Sequence, residues 1–220
     1  MQTLTVNLGR PIPLFPLSQA VLLPQVGMPL HIFEHRYRRM VSDVLDSAGY
    51  IAVARFDRPV GEYEYVHGRP PLKPVVCIGH VENYERVEDG RYLILLRGLC
   101  RARIAEEIDG RPYRQAYCTA LDEPEANEAA LADRREQIEQ LLDEPQLQRV
   151  PVLQQVRRLI KPAAPIDGLI DLISAAVCND TDQRYELLCE ADTDRRGQWL
   201  VRQLRRLRHE GGQLDRFDQR

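Results

Sequence analysis

The sequence predicts an α+β protein: a mostly antiparallel β structure with one inserted helix, followed by a helical bundle. Three observations predict it. Short β-type runs fill the first 122 residues and twice flank an Asp-Gly pair, the strongest short-range hairpin signal. Apolar residues between Tyr37 and Ala48 switch to the helical period. From Asn127 onward amphipathic stripes follow one another across short Pro- or Asp-containing breaks, as in an antiparallel bundle.

Each element has its own signal. Pro11 to Leu17 and Val21 to Leu23 are short apolar runs punctuated by proline, which suits edge strands and turns better than a central ladder. Met28 to Phe33 is a further extended run. Tyr37, Met40, Val41, Val44, Leu45 and Ala48 then form one helical stripe, and Gly49 supplies its stop. Tyr50 to Phe56 returns to β-type residues. Residues 57–74 hold four prolines and two glycines, so a long loop is expected there, of a length that is commonly functional. Val75 to Val87 and Tyr92 to Leu96 flank Asp89-Gly90, and Arg101 to Ile108 and Tyr113 to Ala120 flank Asp109-Gly110.

Around Asp122-Glu123-Pro124 the pattern shifts, which divides the chain into residues 1–122 and 123–220. The helical part is broken at Pro145, Pro151, Pro162 and Pro165. Its stripes are Val152 to Ile160, Ile166 to Val177, a third capped by Asp180-Thr181-Asp182 with Tyr185, Leu188 and Cys189, and a last one from about Thr193 through Trp199, Leu200, Leu204 and Leu207. Beyond Leu207 the periodicity is lost and a frayed tail is expected.

Composition narrows the function classes. The chain has 220 residues, 44% apolar and 29% charged, enough to bury a core without a disulfide or metal staple. No 18-residue apolar run suggests a membrane span, and the amino-terminal residues lack the pattern of a secretory signal, so a cytoplasmic protein is expected. The formal charge of −3 argues against a nucleic-acid-coating protein. Five scattered cysteines, Cys77, Cys100, Cys118, Cys178 and Cys189, never form CxxC and read as inert thiols in a reducing compartment. The only lysines are Lys73 and Lys161, and both precede proline. A phosphate-binding loop needs a Gly-Lys step, so none is present, and a Ser–Lys dyad is equally poorly served.

Two constellations could carry chemistry. His31, Glu34 and His35 match the H-x-x-E-H pattern of inverted zinc peptidases. That chemistry requires both imidazoles on one helical face, whereas His31 belongs to an extended run and the helix starts near His35. No metal, cofactor or catalytic group is therefore assigned. The last helix crowds Arg195, Arg196, Arg202, Arg205, Arg206 and Arg208 beside Trp199, which could grip phosphates and stack on a base. The 98 residues from 123 onward carry 15 basic and 19 acidic side chains, so the solvated face of a terminal helix is the simpler reading.

Residues Leu14-Phe15-Pro16-Leu17, Val21 to Pro24, and Pro29-Leu30-His31-Ile32-Phe33-Glu34 with Arg36-Tyr37 resemble the opening of the amino-terminal domain of the Lon protease. Gly79, Asp89-Gly90-Arg91-Tyr92 and Leu96-Arg97-Gly98 followed by Arg101 and Ile104 resemble its second signature, and Pro165 to Leu188 its trailing helices. His35 stands where that family usually has Pro. The resemblance implies a PUA-like β-barrel followed by an α-helical subdomain, with Phe15, Pro16, Pro24, His31, Phe33, Glu34, Arg36, Tyr37, Gly79, Asp89, Gly90, Gly98 and Arg101 as structural motif residues. It also implies a stand-alone, non-enzymatic module that binds unfolded client proteins or peptides, with a role as a quality-control adaptor. Its partners would include a separate protease or ATPase, or a second copy of itself. The expected contact residues are Phe33, Tyr37, Tyr63, Tyr65 and Val66, with the cleft between the two parts. RNA binding is the alternative, since PUA-like barrels elsewhere bind RNA.

Overall fold

The computed structural model describes residues 6–122, 124, 127–160 and 164–217. Lys161 and Pro162 lie outside the described residues. The chain forms two compact units, Met1–Asp122 and Glu123–Arg220.

The first unit contains β1 (Ile12–Leu17), β2 (Gly27–Ile32), α1 (His35–Leu45), β3 (Tyr50–Arg55), α2 (Glu62–His67), β4 (Val75–Arg86), β5 (Tyr92–Ile108) and β6 (Gln115–Ala120). They form one six-stranded sheet in the order β2-β5-β4-β3-β1-β6, and β6 also pairs with β5. The strands β5, β4, β3, β1 and β6 thus close a ring of pairing, with β2 outside it on the front half of β5. The β1–β3 pair is parallel and the other pairs are antiparallel. One core cluster brings together Ile12 and Leu14 of β1, Ala52 and Ala54 of β3, Val76 and Ile78 of β4, Ala102 of β5, and Ala116 and Cys118 of β6. Four of its nine members are alanine, and side chains this small let a ring of few strands close without a central void.

The prolines of the first unit follow the pairing. Pro29 is tolerated in β2 because that strand pairs only with β5. The Gly98 N–H donates to the Val26 carbonyl at 2.9 Å. Counting alternate residues from that pair turns Met28, Leu30 and Ile32 toward β5 and leaves the Pro29 nitrogen on the free side. β1 is not the edge strand its prolines suggest, since it lies between β3 and β6. Only Ile12 and Pro13 pair with β6, so that ladder ends before Pro16. Val21 to Leu23 form no strand but are buried. Their close approach to β5 explains Gly98, where a Cβ would lie 2.2 Å from the Leu23 carbonyl oxygen.

α1 buries Tyr37, Met40, Val41 and Val44, the stripe its spacing predicts. Gly49, at φ 73°, turns the chain after it and its N–H donates to the Val44 carbonyl. The Asp89-Gly90 turn joins β4 to β5, with Gly90 at φ 79°. Within residues 57–74 the expected loop contains α2, a single short helix.

The second unit comprises α3 (Glu128–Asp143), α4 (Pro145–Gln148), α5 (Pro151–Leu159), α6 (Ile166–Val177), α7 (Thr181–Cys189) and α8 (Thr193–Phe217). Pro145 and Pro151 each occupy the first turn of a helix, where a missing N–H costs nothing. The side chains of Asn127 and Asp180 cap α3 and α7 by accepting from the N–H groups of Ala130 and Gln183. The stripes converge on a core of Ile138, Leu147, Leu153, Ile170, Ile173, Leu200 and Leu204 with their neighbours. The helix that was expected to fray after Leu207 continues to Phe217. Among the described residues no helix is long and apolar enough to cross a membrane.

Candidate functional site

The junction between β2 and α1 turns one short segment both outward and inward. Phe33 is 61% exposed, and its ring lies 5.9 Å from that of His31. Four residues on, Tyr37 is 4% exposed and packs edge-on against Phe15, with ring centroids 4.6 Å apart. Between them, Glu34 is the N-cap residue of α1 but makes no side-chain cap bond. Its carboxylate is occupied elsewhere: it pairs with Arg36 at 3.1 Å and accepts from the Tyr65 hydroxyl at 2.5 Å.

Tyr65 belongs to α2 and fastens that helix to the junction. Its ring lies 6.0 Å from Phe56, edge-on, and the Arg36 guanidinium stacks over both the Tyr65 ring at 4.6 Å and the Tyr37 ring at 4.7 Å. Arg36 also donates to the Tyr65 backbone carbonyl at 3.1 Å. The Tyr37 and Tyr65 hydroxyls are hydrogen-bonded to each other, so a chain of hydroxyls ends on Glu34. Burial is the first cause that lifts both phenols above their ordinary range; the neighbouring Tyr65 adds to it for Tyr37, and the hydrogen bond to Glu34 adds to it for Tyr65.

Beside this cluster lies a groove of about 350 Å³. Tyr37, Tyr65 and Val66 line it together with Phe56, Arg69 and Arg114. Arg114 is clamped from behind: Glu107 accepts from its Nε at 2.8 Å and from its Nη2 at 2.5 Å, and the Pro70 carbonyl accepts from Nη1 at 2.6 Å. Arg69 pairs with Asp109 and with Glu107. These guanidinium groups are therefore spent on holding loops together, and the groove they line carries arginines and aromatic rings side by side.

The five contact residues expected from the sequence thus fall into two groups. Tyr37 is buried and Tyr65 half-buried, and both are fixed by named partners. Phe33, Tyr63 at 81% and Val66 at 54% are exposed. Phe56, Arg69 and Arg114 were not singled out by sequence reasoning. They come from three separated segments, and no local motif marks them.

The other sequence-derived residues lie mostly in the interior or at turns of the first unit. Phe15, Pro16, Pro24, Gly79, Gly98 and Arg101 are buried, and Asp89 and Gly90 make the hairpin turn, with the Asp89 carboxylate accepting from the Arg91 N–H at 3.1 Å. His31 lies on β2 and His35 opens α1, so the two imidazoles share no helical face. Among the described residues no three His, Cys, Asp or Glu side chains converge as a metal site.

In α8 the arginine stripe is largely neutralised. Arg196 is buried against Asp171, Arg195 faces Glu190 and Asp192, Arg206 pairs with Glu210, and Arg208 with Glu144. Little positive surface is left for a phosphate backbone.

The model of the ATP-dependent protease La (LON) substrate-binding domain matches residues 11–206. The chain belongs to the Lon substrate-binding domain family. It is 24% identical over 204 residues to the Lon protease of Desulfosudis oleivorans, covering 91% of this chain and 24% of that protein. Lon protease 1 of Bdellovibrio bacteriovorus is 24% identical over 183 residues, covering 80% of this chain and 22% of the relative. This Lon-type chain therefore spans about a quarter of those relatives' length. Its fold is shared with the amino-terminal domain of the Lon protease from the Mycobacterium avium complex, at a TM-score of 0.60 and 19% identity over 89% of this chain and 98% of that one. A Lon amino-terminal domain protein from Xanthomonas campestris superposes at a TM-score of 0.54, with 20% identity over 87% and 97% of the two chains.

Proposed function

We propose that this Lon-type chain binds exposed polypeptide segments of unfolded client proteins, has no catalytic activity of its own, and serves as an adaptor in protein quality control. Membership of the substrate-binding family supports the class of ligand. The observation that carries the reading to particular residues is the exposure of three large side chains, Phe33, Tyr63 and Val66, the last of them on the wall of the groove that Tyr37, Phe56 and Tyr65 also line. Large apolar side chains this exposed are what a protein-binding surface requires.

The lack of catalysis is inferred from the chemistry on offer. The sequence supplies no Gly-Lys step for a phosphate loop and no Ser–Lys pair free of proline neighbours. RNA binding gains no support from α8, because most of its arginines already face carboxylates.

The test is retention of an unfolded, reduced client on immobilised protein, compared with a Phe33→Ser/Tyr63→Ser/Val66→Ser triple variant. All three side chains are exposed, so the variant should keep its melting temperature while losing most of its client binding. Equal retention by both proteins would refute the assignment of this surface, and no retention by either would refute the reading as a whole.

A further inference from the structure

The hydroxyl chain that ends on Glu34 is completed by Tyr65, a side chain brought in by the short helix α2. We propose that α2 is a displaceable plug, with Tyr65 occupying the pocket that a tyrosyl side chain of a client segment takes when it binds. The inference rests on the peptide-binding reading above and adds to it the side chain recognised and the contact that restrains recognition.

The occupant's chemistry is read from Tyr65. The pocket offers the Phe56 ring edge-on, the Arg36 guanidinium over one ring face at 4.6 Å, and two polar groups at the phenolic end: the Glu34 carboxylate, which accepts at 2.5 Å, and the Tyr37 hydroxyl. A phenol meets both polar groups at once, whereas a phenyl ring leaves one Glu34 oxygen and the Tyr37 hydroxyl without that partner. A site built to bond a hydroxyl discriminates strongly against a ligand that lacks one.

The helix that brings Tyr65 is attached lightly. None of its six residues is buried. It is bounded by Gly61, where an added Cβ would meet nothing within 4 Å, and by Gly68. Besides Tyr65, the described residues tie it through the exposed Arg58–Glu64 pair, with bonds of 2.9 and 2.6 Å, and exposed pairs hold weakly. Swinging α2 out therefore forfeits the Tyr65 contacts and little else. A client tyrosine entering the pocket restores those contacts one for one. The exchange is close to balanced at the pocket, so affinity is decided by what the rest of the segment gains on surfaces outside α2, the exposed Phe33 among them. A plug of this kind lowers the apparent affinity by the fraction of molecules in which it is closed.

The experiment uses the full chain, a fluorescein-labelled unstructured peptide with one central Tyr, and the same peptide with Phe in its place. Tyr65→Ala should bind the tyrosyl peptide at least tenfold more tightly than the unmodified protein. It should also prefer Tyr to Phe by about tenfold, the effect of one hydrogen bond to a charged group. N-acetyl-L-tyrosinamide should compete with the peptide on Tyr65→Ala. Adding Glu34→Gln to Tyr65→Ala should erase most of the preference.

Equal or weaker binding by a folded Tyr65→Ala, while the unmodified protein binds, overturns the plug and leaves the peptide-binding reading standing. No binding by either protein removes both. If Tyr65→Ala does not fold, Tyr65→Phe keeps the ring and loses only the latch. It should then gain affinity severalfold, and an unchanged affinity overturns the proposal.

Discussion

The guanidinium of Arg196 lies 3.3 Å from the carboxylate of Asp171, and the two side chains are only 1% and 2% exposed. The pair ties α8 to α6. Arg196 also donates to the Glu190 and Ala191 carbonyls at 2.8 Å and to the Thr193 hydroxyl at 3.0 Å. One side chain thereby satisfies the turn that leads from α7 into α8. Breaking a buried pair leaves an uncompensated charge, which costs about 3–5 kcal/mol. Both Asp171→Ala and Arg196→Ala should lower stability by that order, with Arg196→Ala worse because two carbonyls lose their donor as well. Urea unfolding followed by circular dichroism reads the difference, and a change below about 1 kcal/mol for either would contradict it.

Gly98 and Gly61 should respond to alanine in opposite ways. At Gly98 the new methyl would meet the Leu23 carbonyl at 2.2 Å, a contact with backbone that cannot rotate away. Overpacking of this kind costs about 1–3 kcal/mol. At Gly61 there is open space and φ is −73°, so Gly61→Ala should raise stability by about 0.5 kcal/mol by stiffening the unfolded chain. Melting temperatures of the two variants settle the contrast.

Alkaline pH should weaken the first unit through its tyrosines. Tyr113 is pushed up to about 12 by burial and by its hydrogen bond of 2.8 Å to Asp43. A phenol raised in the folded state contributes stability that is complete below its ordinary value near 10 and is lost as pH climbs to about 12. Tyr37 and Tyr65 are shifted in the same direction. Urea midpoints should therefore fall between about pH 10 and pH 12, and Tyr113→Phe should flatten part of that decline.

Thiol labelling should follow burial rather than sequence position. Cys189 is exposed, Cys100 is half-buried, and Cys77, Cys118 and Cys178 are buried. Burial first, then the neighbouring Cys100, lifts Cys118 to about 11. At pH 8 its thiolate fraction is then on the order of one in a thousand. A maleimide should modify one thiol quickly in the native protein, and Cys189→Ser should remove that fast phase. A fast phase that survives the substitution would show another thiol to be accessible.

Much of the fold was legible because its signals are local. The stripe from Tyr37 to Val44, the Asp89-Gly90 turn and the Asp180 cap each depend on residues within a few positions of one another. What was not legible depends on pairing between distant segments. β1 reads as an edge strand from its prolines, and only the short register with β6 reconciles those prolines with an interior position. α2 reads as loop because glycine and proline surround it and because it has no buried stripe to betray a helix. The site suffers most. Glu34 and Tyr65 are 31 residues apart, so nothing in either neighbourhood announces their bond. Phe33 and Tyr37 looked alike as aromatic residues of one segment, and the turn into α1 sends one outward and the other into the core. The arginines of α8 looked like a charged stripe until their acidic partners on the α3–α4 turn, α6, the α7–α8 turn and α8 itself were in place.

α2 rests on the first unit mainly through Tyr65, with the Arg58–Glu64 pair beside it, and contributes no buried residue to the core. Its sequence is therefore almost uncoupled from the free energy of folding. Substitutions at Glu62, Tyr63, Val66 or His67 alter what the surface offers a visitor without taxing the scaffold beneath. Such a segment behaves as a cassette, in which new preferences can be written by a few exchanges while the ring of strands stays as it is.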